Sequence, residues 1–255
     1  MSGRSPWTRQ QLFVAFNLYC QLPFGKFHSR NPEIIQYAKM IGRTPSALAM
    51  KLTNIASLDP VITSSGRSGL KGASALDRAM WDEMQNDWDG FVLESHHAIS
   101  EFTLSFDKPQ EDDESLPLDY SGTSRPVSAN ARVGQSFFRN AVLSAYGNRC
   151  CITGLSVPRL LIASHIVPWS KDKKNRLNPS NGLALSMLHD KAFDIGLITI
   201  DEDRAVQVSQ QEWNEDDMYL KTALLSFHGQ KIQIPDKFVP NAQFLEYHRE
   251  NIYIG

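Results

Sequence analysis

Apolar residues in the first 60 positions recur at helical spacing, interrupted by short clusters of breakers. Phe13, Phe16, Leu18 and Tyr19 form a broad apolar face that predicts a helix over 6–21, opened by Pro6-Trp7 and broken at Pro23-Phe24-Gly25. Asn31-Pro32-Glu33 places a capping residue before a proline at the first helical position, and Ile34, Ile35, Ala38 and Ile41 follow at helical spacing up to Gly42. Thr44-Pro45 caps a third helix running to about Ser57, with Leu48, Leu52 and Ile55 facing inward. Leu76, Met80 and Trp81 predict helix over 75–90. Phe91-Val92-Leu93 and the alternating Phe102, Leu104 and Phe106 read as strands.

The pattern then changes. Residues 109–126 are polar, acidic and rich in breakers, which predicts a linker or long surface loop. A helix over Gln135–Tyr146, ended by Gly147, opens a second region in which short strand-like pieces alternate with turns. Arg159 to Ile166 is a strand candidate, Leu183 and Leu185 mark a second, and a helix ended by Gly196 carries His189, Asp190, Phe193 and Asp194. A strand over 204–208, a short helix from Met218 to Leu225 and a last helix from about Asn241 to Asn251 follow. The expected fold class is α+β: a mainly helical module over 1–108, the acidic segment 109–126, and a mixed module over 127–255.

Charge sharpens this division. The net charge of −2 conceals ten Lys/Arg against three Asp/Glu in residues 1–80, one Lys against twelve acids in 81–120, and fifteen basic against thirteen acidic residues in 121–255. A locally basic module can bind a polyanion although the whole chain is slightly acidic. The two short helices joined through Ile41-Gly42-Arg43-Thr44 resemble a helix-turn-helix. The second would offer Ser46, Ala47, Met50, Lys51 and Asn54 to a groove, with Arg43 near its start for phosphate. Arg67 and Lys71, in a Gly/Ser-rich stretch, are further phosphate candidates. An ordinary helical hairpin is the plainer alternative. The acidic 109–119 segment also allows an interaction module that docks a basic partner.

With 42% hydrophobic and 21% charged residues, the composition is that of a globular protein. No run approaches the roughly 18 apolar residues of a membrane span, and no signal peptide is evident, so a cytoplasmic protein without membrane contact is expected. Cys20, Cys150 and Cys151 fit neither a disulfide framework nor a four-ligand zinc site, and no structural zinc is expected.

The densest chemistry lies at 160–196. Phosphodiester hydrolysis requires a base to take a proton from water and a cation to stabilise charge on the phosphate and leaving oxygen. His165, at a strand end, suits the first role, since neutral imidazole accepts a proton near pH 7. His189 and an acid at Asp190 or Asp194 can hold a metal; the two acids are four apart and share a helix face. Asn181 can clamp the loop carrying His165 by bonding its backbone. Lys171, Lys173, Lys174 and Arg176 are placed to attract phosphates. Taken singly, each of these residues also has a structural role open to it.

YGNRCCITG, LLIASHIVPW and NPSNGLALSMLHDKAFDIGLITI together resemble the HNH endonuclease family with the ββα-metal fold, over Tyr146 to Ile200. The likeness is greatest to the branch found in bacterial restriction-like proteins, with its pattern AAHI…NGL.L…HH..FD.G. The resemblance implies that His165 is the general base, that Asn181 is the central asparagine, and that the last histidine falls on His189 or its neighbour. Ser164 stands where many members carry an Asp or His metal ligand, and His189-Asp190 stands where the branch carries two histidines. The acid at 190 favours Mg²⁺ or Mn²⁺ over Zn²⁺.

These observations lead to the expectation of a metal-dependent endonuclease acting on double-stranded DNA, working as a homodimer in restriction or phage defence. The catalytic set is His165, Asn181 and His189, and the metal set is His189, Asp190, Asp194 and Ser164. Two alternatives stay open: a DNA-binding protein with an inactive HNH domain, and a structure-specific or RNA-directed nuclease.

Overall fold

Thr8 begins the central helix of the molecule with a capping box, its hydroxyl accepting from the Gln11 N–H while Gln11 Oε1 accepts from the Thr8 N–H. This helix, α1 (Arg9–Gln21), is buried without interruption from Leu12 to Cys20. A helix apolar on nearly every side belongs in the middle of a bundle. Against α1 pack α3 (Pro45–Ala56), α5 (Ala75–Asn86), α6 (Trp88–Phe106) and α7 (Ala129–Ala145), while α2 (Pro32–Met40) packs on α3 and α6, and α4 (Pro60–Ser64) adds Ile62 to the same core. The computed structural model describes residues 5–64, 66, 72–106, 129–210 and 217–255.

The expected strands at 91–93 and 102–106 are instead parts of α6. Trp88, Phe91, Val92, Ser95 and Ala98 are buried at three- and four-residue intervals, so the helical period governs the whole segment. The alternation at 102, 104 and 106 has no sheet to serve, and Leu104 is 81% exposed. α7 likewise starts earlier than Gln135, at Ala129.

α7 joins the helical half to the rest. It packs on α1 and α6 on one side and on a two-stranded sheet on the other. That sheet pairs β1 (Leu161–His165) antiparallel to β2 (Gly182–Ser186), with His165 opposite Gly182 and Ser164 opposite Leu183. A side chain at 182 would stand 2.4 Å from Val142 Cγ2 and 2.9 Å from Phe138 Cζ, so only glycine lets the hairpin lie flat on α7. Helix α8 (Met187–Asp194) follows β2 directly, giving a ββα order. The Cys150–Leu155 turn docks on the hairpin, with the Cys151 N–H donating to the Ala184 carbonyl at 2.8 Å. Cys20, Cys150 and Cys151 are buried free thiols.

A second antiparallel pair, β3 (Ile198–Ile200) and β4 (Val206–Val208), precedes α9 (Met218–Ala223) and α10 (Ala242–Asn251). The chain end returns to α8, where the Ile254 N–H donates to the Gly196 carbonyl at 3.1 Å. Before α10, the fully buried Lys237 reaches back to α1. Its ammonium donates to the carbonyls of Tyr19, Cys20 (3.1 Å) and Leu22 (2.7 Å) and lies 4.8 Å from the Tyr19 ring centroid. A cation thus satisfies carbonyls at the negative end of α1. One continuous apolar cluster runs through both halves of the chain. Among the described residues no helix is long and apolar enough to cross a membrane.

The α2–α3 hairpin forms, with Asn31 and Thr44 as its N-caps. Two of its expected DNA contacts are corrected by their surroundings. Lys51 is only 6% exposed, and its Nζ pairs with both oxygens of Asp77 on α5, at 2.8 and 2.9 Å. Arg43 donates to the carbonyls of Ser5 (2.7 Å) and Pro6 (2.5 Å) and to Gln11 Oε1 (2.8 Å), over the Trp7 ring. Both cations are committed inside the fold. Ser46 and Met50 are exposed, and Ala47 and Asn54 are half-buried. Arg67, Lys71 and the acidic segment 109–126 lie outside the described residues.

Candidate active site

His165 ends β1, and three rings or carbonyls fix its imidazole. It stacks on Phe138 of α7 with centroids 3.9 Å apart and planes 7° apart, and meets the edge of Trp169 at 5.5 Å. Its Nε2 lies 2.9 Å from the Arg176 carbonyl oxygen. A carbonyl only accepts, so Nε2 carries the proton and Nδ1 keeps the lone pair. Burial lowers the His165 pKa, opposed by that hydrogen bond, which keeps the ring neutral at pH 7.

Asn181, completely buried, holds the backbone beyond His165. Its Oδ1 accepts from the Val167 N–H at 2.8 Å, and its Nδ2 donates to the Val167 carbonyl at 3.1 Å. Its own carbonyl accepts from the Ile166 N–H at 2.9 Å. The polar loop from Lys171 to Arg176 is tied by Asp172 Oδ1, which accepts from the N–H groups of Lys174 (3.0 Å) and Asn175 (3.1 Å). Lys171, Lys173 and Lys174 are left exposed. Arg176 is not: its guanidinium pairs with Asp89 on α6, Nε lying 2.8 Å from Oδ2.

On α8, adjacent residues point about 100° apart, and the two at 189 and 190 take different surroundings. Asp190 turns to Ser164 on β1. The Ser164 hydroxyl stands beside its carboxyl but makes no hydrogen bond of normal geometry. Burial raises the Asp190 pKa to about 6, with the Ser164 hydroxyl lowering it and the Asp194 charge adding to the rise. Asp194 is raised as well, by burial, against the pull of Lys191.

His189 faces the interior instead. Its Nδ1 lies 2.8 Å from the hydroxyl of Ser186, the N-cap of α8, and its ring meets the Phe227 ring edge-on at 5.4 Å. Its Nε2 is buried near the Ala223 carbonyl without a hydrogen bond of normal geometry. Burial lowers its pKa. The expected metal set of His189 with Asp190 and Asp194 is therefore not brought together. Among the described residues no three His, Cys, Asp or Glu side chains are grouped to hold a metal ion.

The donors that remain are carboxylates. Asp190 and Asp194 are hard oxygen donors, the first half-buried and the second exposed, and the Asp194 charge raises the cost of an anion at Asp190. A cation relieves that cost. Their oxygens are the donors through which this part of α8 could hold a metal ion.

Sequence reading missed Phe138, Trp169 and Asp89 as supports of this site. Nothing local signals them, since each meets the site only through the tertiary fold. Ser186 was readable, because a serine three residues before His189 has the spacing of a helix cap.

A family match falls on this same stretch. No curated protein matches the chain. Among solved structures, a modification-dependent TagI restriction endonuclease is similar at 20% identity and a TM-score of 0.35, over 45% of this chain. The chain spans only 37% of that protein's length. Residues 150–201 match the HNH endonuclease family, which links the hairpin, α8 and β3 to the HNH nuclease superfamily.

Proposed function

We propose that this chain is a metal-dependent endonuclease that hydrolyses phosphodiester bonds in double-stranded DNA. The observation carrying this reading is the state of His165: a neutral imidazole at a strand end, its Nε2 proton committed to the Arg176 carbonyl and its Nδ1 lone pair left to act as a base. In this reading Nδ1 takes a proton from the attacking water. Phe138 and Trp169 hold the ring and keep bulk water from its faces. Asn181 fixes the loop that carries it. Lys171, Lys173 and Lys174 draw in the DNA backbone. Asp190 and Asp194 would hold a Mg²⁺ or Mn²⁺ ion, which supplies charge stabilisation for the phosphate and leaving oxygen. Ser46, Met50 and Asn54 are the α3 side chains left to meet a groove.

One such site cuts one strand, so double-strand cleavage calls for a homodimer or two successive nicks. Restriction or phage defence is the biological role that accords with this chemistry. The test is to incubate wild type and His165→Ala with methylated and unmethylated duplexes, with Mg²⁺, Mn²⁺ or no metal, and to map the ends. Metal-dependent cutting by wild type alone is expected. Cutting by His165→Ala at the wild-type rate, or none by wild type under any condition, overturns the proposal.

A second reading is a DNA-binding protein whose HNH module is inactive. It is favoured by the lack, among the described residues, of three grouped metal-binding side chains. Tight duplex binding without cleavage on all the duplexes above would select it.

A further inference from the structure

One backbone carbonyl and three side chains link the imidazole of His165 to α6. Trp169 meets the imidazole edge-on, and the Arg176 guanidinium sits 5.2 Å from the Trp169 ring centroid. The Arg176 carbonyl accepts the Nε2 proton. Asp89, in the first turn of α6, takes both Nε and Nη2 of Arg176 on a single oxygen, Oδ2. Its other oxygen, Oδ1, is buried without a hydrogen bond. A carboxylate oxygen held out of water needs a nearby positive charge to offset the lost hydration, and Arg176 supplies it. The helix N-terminus adds a smaller term of the same sign.

We infer that Asp89 is a positioning residue for the nuclease site: by anchoring Arg176 it fixes the carbonyl that selects the Nε2–H tautomer of His165, so the helical half of the chain completes the site built by the other half. The inference rests on His165 being the base. It also reassigns Arg176. A guanidinium whose Nε and Nη2 are both spent on Asp89 is a brace for the loop, while the three exposed lysines beside it remain for phosphate. If the brace is lost, the 171–176 loop keeps its Asp172 ties but no longer holds the Arg176 carbonyl against the ring. The imidazole can then place its proton on Nδ1, the tautomer that cannot accept from water there.

The test uses the full chain with ¹⁵N-labelled histidine at pH 8, where burial leaves the His165 ring neutral, with His165→Ala identifying the His165 signals. Wild type is expected to show the Nε2–H tautomer. Asp89→Asn removes the charge, and Arg176→Lys keeps the charge but lacks the planar fork; both are expected to show a mixture. In cleavage assays both should lower kcat about tenfold with KM for DNA changed less than about twofold, as misplacement of a catalytic group does. Near-UV circular dichroism and a thermal melt establish that each variant is folded, and Arg176→Lys serves if Asp89→Asn is not. Retention of the Nε2–H tautomer in a folded variant overturns the inference, as does a rise in KM at constant kcat, the mark of a lost phosphate contact. If wild type cuts no DNA, the nuclease reading fails, while the tautomer measurement still decides whether Asp89 orients His165.

Discussion

Asn181 and Val167 exchange two hydrogen bonds, amide oxygen to backbone N–H at 2.8 Å and amide nitrogen to backbone carbonyl at 3.1 Å. A side chain thereby takes the place of a strand partner where the β1–β2 ladder ends. Asn181→Asp keeps the acceptor but turns the donor into an oxygen facing the Val167 carbonyl. A buried acceptor left unpaired costs about 1–3 kcal/mol. Denaturant unfolding is expected to show a loss of that size, and cleavage should fall about 100-fold as the loop after His165 drifts. An Asp variant as stable and as active as wild type would remove Asn181 from the site.

Gly182 is opposite His165 and lies under α7. A methyl group there collides with Val142 and Phe138, the latter being the ring on which His165 stacks. Gly182→Ala should cost about 1–3 kcal/mol through overpacking. Adding Val142→Ala opens room and should recover part of the loss. Additive destabilisation in the double variant would show that the contact is not the cause.

His248 links pH to stability. It is buried, stacks on Phe193 at 3.6 Å, donates through Nε2 to the Phe193 carbonyl at 3.0 Å, and accepts at Nδ1 from Thr199 Oγ1 at 2.9 Å. Burial lowers its pKa to about 4, against about 6.5 when unfolded. Between those values the unfolded chain binds the proton and the folded chain does not. Stability therefore falls as pH drops from 6.5 towards 4, by about 3 kcal/mol for this group. Burial shifts His165 and His189 in the same direction. The His248 share is isolated as the difference between wild type and His248→Gln in urea midpoints at pH 7 and 4.5. Equal pH slopes in the two proteins would contradict the assignment.

How far the chain announces its own fold depends on how local each determinant is. Asn31, Thr44 and Ser186 cap helices within three residues of themselves, and α2, α3 and α8 stand where those caps put them. The two strands flanking the His165–Asn181 segment were readable for the same reason, an apolar run ended by turn residues. α6 is not, because 91–93 and 102–106 each resemble a short strand taken alone, and the helical spacing that unites them spans the whole of 88–106. Lys51 and Arg43 were misread by another route. A cation just before a helix or midway along it looks alike whether solvent or Asp77, Ser5 and Pro6 lie opposite, and those partners are set by packing. His165 could be picked out as a base from its position, but its tautomer depends on a carbonyl 11 residues away.

Lys237 ties the C-terminal segment to α1 more than 200 residues earlier. Lys237→Met fills similar space but leaves the carbonyls of Tyr19, Cys20 and Leu22 without their shared donor. A buried acceptor left without a donor costs about 1–3 kcal/mol, so a loss of at least that size is expected. Because the apolar cluster is continuous through both halves, the loss should appear as one cooperative shift of the unfolding curve. A variant of unchanged stability would mean that water replaces the ammonium at no cost.

Asp190 and His189, adjacent on α8, should separate cleanly in a metal titration. Asp190 stands by Ser164 and within the field of Asp194, whereas His189 is bonded to Ser186 and set against Phe227. Removing a hard carboxylate donor should weaken Mn²⁺ binding at least about tenfold in Asp190→Asn, and Asp194→Asn should weaken it less, since Asp194 is the more exposed of the two. His189→Gln should instead lower the melting temperature, through the lost Ser186 bond and Phe227 contact, with Mn²⁺ affinity within about twofold of wild type. Isothermal titration of the three variants checks this without any DNA. If His189→Gln abolishes Mn²⁺ binding while Asp190→Asn leaves it intact, the ion is held on the other face of α8, and the histidine must leave Ser186 to reach it.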